Sequence, residues 1–128
     1  MTYYISIANE KGGVAKTTST LSLGASLVEL GSKVLLVDLD AQANLTLALG
    51  VDPEKNVKSI SNLIMEDVPL SSIVVETGIP GLYLAPSNHE LGHVERFLPT
   101  KPGHEQLLRK NLQTAAQEYD FVTFDCPP

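Results

Sequence analysis

Short unbroken apolar runs alternate along this chain with longer stretches in which apolar residues return every third or fourth position. The runs are Tyr3 to Ala8 (YYISIA), Lys33 to Asp38 (KVLLVD), Leu82 to Ala85 (LYLA) and Phe121 to Asp125 (FVTFD). Their length and their β-prone content predict strands. KVLLVD and FVTFD, continuous and ending in an acid, predict strands covered on both faces, as in a parallel sheet. From Lys16 to Leu30 the residues Leu21, Ala25 and Val28 recur at helical spacing, with Leu23, Leu27 and Leu30 beside them, and Gly31 follows as a stop. Further helices are predicted near Ala43 to Leu49, Ile60 to Met65 and His104 to Glu118. Strands alternating with helices predict an α/β layered fold with right-handed crossovers, whose ligands bind at the C-terminal ends of the strands.

Composition narrows the functions open to such a fold. The chain of 128 residues has the length of one domain and can bury a core. Its net charge is −6, with the basic residues scattered. Nucleic-acid binding by this stretch alone is disfavoured, because neutralising phosphates takes a basic patch. No apolar run is long enough to span a bilayer, and the N-terminus lacks a signal-peptide pattern. Cys126 is the single cysteine. It cannot form an internal disulfide, which fits a reducing, cytoplasmic setting. The chain stops at Pro127 and Pro128, directly after a strand and its acid. A domain rarely ends on such a tip, so the expectation is the N-terminal part of a longer protein.

The first predicted strand runs into NEKGGVAKTT, residues 9 to 18. A phosphate loop needs consecutive backbone N–H groups facing one concavity at a helix N-terminus, a lysine for the β and γ phosphates and a hydroxyl for magnesium. Gly12 and Gly13 supply the backbone freedom, Lys16 the charge, and Thr17 and Thr18 open the helix. The usual G-x-x-x-x-G-K-[ST] pattern asks for glycine where this chain has Glu10 and Ala15. Ala15 adds one methyl group, tolerable at negative φ, and Glu10 is expected to point away from an anion. Asp38 and Asp40 in VDLDAQ end one predicted strand and Asp125 in FVTFDCPP ends another, so three carboxylates converge on the sheet edge that carries the loop. Hard oxygen ligands of this kind suit magnesium.

KGGVAKTT, VLLVDLDAQANLT and YDFVTFDCPP resemble, in order and spacing, the deviant phosphate loop, the D-x-D-x-Q segment and the acid-bearing Walker B strand of the ParA/MinD family of partitioning ATPases. The likeness runs through the whole chain and is closer to ParA than to MinD. It implies a P-loop NTPase-type, mostly parallel sheet with flanking helices, cut after the Walker B strand, and residues 1–128 as the N-terminal part of one nucleotide-binding domain. It implies ATP and Mg2+ as ligands, held by Lys11, Gly12, Gly13, Val14, Ala15, Lys16, Thr17 and Thr18. In such a site Lys16 contacts the β and γ phosphates, Thr17 ligates magnesium and Thr18 contacts the α-phosphate. Lys11 is the signature lysine that reaches a partner's ATP across an ATP-dependent homodimer. Asp40 positions or activates the attacking water, and Asp125 and Asp38 hold magnesium through water. A ParB-like stimulating protein and non-specific DNA, bound through the missing C-terminal half at the nucleoid, are the implied partners. Ala15 departs from the family's commoner glycine. The base-contacting residues lie beyond residue 128, so turnover by this chain alone is expected to be weak or absent. A MinD-like membrane-associated ATPase and a non-hydrolytic truncated module are the alternatives. An iron–sulfur ATPase is disfavoured, since one cysteine per chain gives two thiolates per dimer where a four-iron cluster needs four.

Other motifs carry less. HELGH, His89 to His93, matches the H-E-x-x-H zinc pattern, but Gly92 weakens the helix that pattern requires, and the segment reads as a surface helix. Cys126 reads as a small buried residue, His104 as a helix-start surface residue, and Glu66 with Asp67 as a solvated turn before Pro69.

Overall fold

The computed structural model of the chain describes residues 1–7, 13–55, 58–97 and 104–126. The elements follow in the order β1 (Tyr3–Ile7), α1 (Gly13–Glu29), β2 (Val34–Asp38), α2 (Asn44–Ala48), α3 (Ile60–Glu66), β3 (Val75–Glu76), β4 (Leu82–Ala85), α4 (Glu90–Phe97), α5 (His104–Ala116) and β5 (Phe121–Asp125). One 3-10 turn, Leu70–Ser72, precedes β3. A single sheet holds the five strands in the order β1-β5-β2-β4-β3. β1, β5, β2 and β4 run parallel, and β3 pairs antiparallel to β4 at the edge. This is the mostly parallel α/β sheet that the alternation of runs predicts. A strand of two residues is too short to show any period, and β3 was not expected from sequence. α1 begins at Gly13 rather than Lys16, so the second half of the glycine loop is already helical. Ala8 to Gly12 lie outside the described residues.

The continuous apolar run of β2 is explained by its place between β5 and β4, with helices on both faces. Every one of its residues is buried. Val34 and Leu36 face one side, packed with Leu45, Leu82 and Leu84 and with Leu21, Leu27 and Val28 of α1. Leu35 and Val37 face the other, among Ile60, Leu63, Leu91, Val94, Leu112 and Ala116 of α3, α4 and α5. Each such side chain contributes roughly 1.5–3 kcal/mol by leaving water. Glycine sets how closely α1 lies on the sheet: a Cβ on Gly24 would come within 3.0 Å of Leu36 Cδ2 and 3.1 Å of Leu82 Cδ1. Gly31 ends α1 at φ +92°, where the Ser32 N–H reaches the Leu27 carbonyl and the Gly31 N–H reaches that of Val28. These are the paired bonds of a Schellman cap, for which glycine is the residue of choice. β1 is the other edge, and Tyr3 and Tyr4 on it are exposed while stacking on Phe121 and Phe124 of β5.

Candidate active site

The parallel strands bring their C-terminal ends to one edge. Asp38 ends β2 and Asp125 ends β5, and the two are partners in register; Ile7, at the end of β1, is the neighbour of Asp125 on the other side. α1 begins against this edge, so its first turn presents backbone N–H groups and the positive end of the helix dipole to the same place. Lys16 lies in that first turn with its side chain 1% exposed. Its ammonium is 3.4 Å from Asp125 Oδ1 and 3.6 Å from Asp40 Oδ2, and it donates a hydrogen bond to the Cys126 carbonyl. Thr17, also buried, donates its hydroxyl to Asp125 Oδ2 at 3.2 Å.

Asp125 therefore meets a cation on one oxygen and a hydroxyl on the other. Oδ1 is buried and accepts no hydrogen bond among the described residues, leaving the Lys16 ion pair as its compensation. Burial pushes the Asp125 carboxyl above its usual range, against the lowering effect of Lys16 and Thr17. An under-coordinated buried carboxylate oxygen beside a threonine hydroxyl suits a hard divalent cation such as magnesium.

Asp40 sits in the loop after β2, 5% exposed. Its Oδ1 accepts the Gln42 N–H at 3.0 Å, which leaves Oδ2 toward Lys16. Asp38 is fully buried and committed to the protein. Its Oδ1 accepts the Asp40 N–H at 3.1 Å, and its Oδ2 accepts the Thr46 N–H at 3.0 Å and the Thr46 hydroxyl at 2.7 Å. Burial raises its pKa to about 6, although those three donors favour the ionised form. The three acids share the sheet edge, yet among the described residues no three His, Cys, Asp or Glu form one metal-holding group. Just beyond, Ala43 is held at φ 57°, ψ 33°. A left-handed alanine costs about 1–2 kcal/mol, the kind of local strain that clusters at functional sites.

Of the loop residues, Lys11 and Gly12 fall outside the described residues, and Gly13 and Val14 open α1. Ala15 is exposed on the first turn and Thr18 on the second, and Ala15 is not among the positive-φ residues, so its methyl group needs no strained backbone. His89, Glu90 and His93 are exposed, with His89 one residue ahead of α4. Cys126 is half-buried, and its thiol is pushed up by burial. Two buried residues of this edge were missed from sequence, Thr46 and Ser87. Their polar contacts reach eight and more than forty residues along the chain, and no local pattern signals a partner at that distance.

The AAA domain family matches residues 2–128. The chromosome partitioning protein ParA of Caulobacter vibrioides is 36% identical over 126 residues, 97% of this chain and 47% of that protein. Among solved structures, the cobyrinic acid a,c-diamide synthase of Mycobacterium smegmatis, with bound ADP and magnesium, superposes with a TM-score of 0.93 at 44% identity, over 100% of this chain and 52% of that one. The septum site-determining protein MinD of Pyrococcus horikoshii, complexed with Mg-ADP, superposes at 0.77 with 37% identity, over 99% and 49%. The chain thus spans about half the length of these relatives. A lysine and a threonine opening a helix against two strand-end acids, on a sheet that these proteins share, place the chain by descent as well as by geometry: it belongs to the AAA domain family of P-loop ATPases that includes ParA and MinD.

Proposed function

We propose that this chain is the phosphate-binding half of an ATP-driven switch of the ParA type. One observation carries the reading. The buried ammonium of Lys16, at the N-terminus of α1, is held by Asp40 and Asp125, partners that an anion can replace. When the β and γ phosphates of ATP enter, Lys16 turns from the acids to the phosphate oxygens, and the first-turn N–H groups of α1, from Gly13 to Lys16, receive the remaining charge. Thr17 and Asp125 are the residues that would hold magnesium, which when bound neutralises charge on the phosphates. Asp40, released from Lys16, orients the water that attacks the γ-phosphate. Lys11 completes the site across an ATP-dependent homodimer. Partitioning of plasmid or chromosome, stimulation by a ParB-like protein and non-specific DNA binding at the nucleoid belong to the whole protein in this reading.

The test is equilibrium binding of ATP with magnesium and then with chelator. Binding that needs magnesium and weakens at least tenfold in Thr17→Ala is expected; binding indifferent to both overturns the magnesium assignment. Turnover by the 128 residues alone is expected to be far below that of a whole family member. A Lys16-dependent turnover equal to a whole protein's would overturn that expectation. The likeness to the Mycobacterium smegmatis synthase supports a second reading, in which ATP use serves amide formation. Phosphate release from ATP in the absence of any organic acceptor favours the switch; release that requires one favours the synthase.

A further inference from the structure

A closed ring of hydrogen bonds passes through the backbone of one residue of this edge, Asp40. The Asp40 N–H donates to Asp38 Oδ1 at 3.1 Å, and the Thr46 hydroxyl donates to Asp38 Oδ2 at 2.7 Å. The Ser87 N–H donates to the Thr46 hydroxyl oxygen at 2.9 Å, and the Ser87 hydroxyl returns to the Asp40 carbonyl at 2.7 Å. Asp38, Thr46 and Ser87 have no exposed surface. They come from the end of β2, from α2 and from the segment after β4, so the ring joins three parts of the fold at a single residue.

The ring holds the Asp40 backbone and leaves its carboxylate out. With the N–H fixed by Asp38, the carbonyl fixed by the Ser87 hydroxyl and by the Ala43 N–H at 2.9 Å, and Oδ1 fixed by the Gln42 N–H, the freedom left to Oδ2 is small. We infer that Asp38, Thr46 and Ser87 are positioning residues that clamp the Asp40 backbone and so aim its carboxylate at the water that attacks the γ-phosphate. The inference rests on the reading of Asp40 as the residue that orients the attacking water. It assigns Asp38 to the clamp rather than to magnesium, since all three of its accepted bonds come from buried protein donors. Misplacing a catalytic group by about 1 Å can cost on the order of a hundredfold in rate without weakening substrate binding.

Ser87→Ala removes the bond to the Asp40 carbonyl; Thr46→Val cuts the ring elsewhere, and Thr46→Ser keeps the hydroxyl as its control. Two measurements are made on the full chain: ATP affinity with turnover at saturating ATP, and amide hydrogen exchange by NMR. The expected result is that Ser87→Ala and Thr46→Val bind ATP within about threefold of the unaltered chain and lose at least about tenfold in turnover, with Thr46→Ser unaffected. Exchange at the Asp40 and Ala43 amides speeds up at least tenfold, while Leu35 and Leu36 stay protected. Where turnover is too slow to follow, exchange decides. Unchanged exchange at Asp40 overturns the clamp, as does uniform acceleration across β2 in both variants. A chain that shows the local exchange change but binds no ATP overturns the ATP reading and leaves the clamp in place.

Discussion

Two lysines sit at opposite ends of the same sheet and are held in opposite ways. Lys16, at the C-terminal edge, has its ammonium between the carboxylates of Asp40 and Asp125 and on the Cys126 carbonyl. Lys33, just ahead of β2 at the N-terminal edge, lays its ammonium over the rings of Tyr83 at 5.2 Å and Tyr119 at 5.1 Å, which themselves meet edge to face. Carboxylates at 3.4 and 3.6 Å are a partnership that stronger anions can take over. Ring faces offer a phosphate nothing to exchange. The first arrangement suits a lysine that must change partners during a reaction cycle, the second a lysine that closes the end of a core.

Replacing each lysine by alanine should separate the two cleanly, and Lys16→Ala has the larger effect. Two charge-assisted contacts to phosphate, at roughly 1.5–3 kcal/mol each, vanish together. ATP affinity should fall at least about a hundredfold, as measured by equilibrium binding. Stability should fall as well, because Asp125 and Asp40 lose the cation that compensates their burial; breaking a buried pair from one side costs about 3–5 kcal/mol. A Lys16→Ala chain that binds ATP normally would erase the distinction between the two lysines.

Lys33→Ala should leave ATP affinity within about twofold and lower the stability of the chain by roughly 1–2 kcal/mol, the worth of a partly desolvated cation over aromatic rings plus its buried stem. Thermal unfolding then shifts down by several degrees. Lys33→Arg sharpens the point, since a guanidinium also stacks on ring faces and should recover most of the loss. Lost ATP binding in Lys33→Ala would mean that the two ends of the sheet are coupled.

The two edges also differ in how much of them the sequence discloses. KVLLVD and FVTFD announce buried parallel strands because burial on both faces removes polar residues from the run, and β2 is buried throughout. The placing of Lys16, Thr17 and Asp125 at one edge follows from that parallel arrangement, since parallel strands put all their C-termini on one side. By contrast, the ring around Asp40 needs Thr46 and Ser87 brought together from 41 residues apart, and a buried serine reads in sequence like any loop serine. The Lys33 cage is hidden for the same reason: Tyr83 and Tyr119 reach it from β4 and from the turn before β5. Local chemistry and the unbroken apolar runs of the strands were legible, and long-range polar pairing was not.

Asp38 gives the smallest expected effect and the most direct probe of the buried acids. Its pKa is raised by burial from the ordinary 3.8 to about 6, so the folded chain binds a proton more readily than the unfolded one. The sign follows from linkage: the stabilisation is fully present below pH 3.8 and is lost as pH rises through about 6. Lowering the pH from 7 to 5 should therefore add roughly 1 kcal/mol through this residue. Asp125, whose carboxyl is also pushed up by burial and whose charge adds to the upward push on Asp38, acts in the same direction and is present in both chains compared. Asp38→Asn cannot titrate. It carries a fixed penalty from turning an amide N–H toward the donors of Asp40 or Thr46, but that penalty is the same at both pH values. The measurement is the change in unfolding free energy between pH 7 and pH 5 for each chain, by denaturant titration. A gain on acidification larger in the unaltered chain than in Asp38→Asn by about 1 kcal/mol supports a buried, proton-hungry Asp38. Equal slopes would mean that the three donors around Asp38 outweigh its burial, leaving it ionised at both pH values.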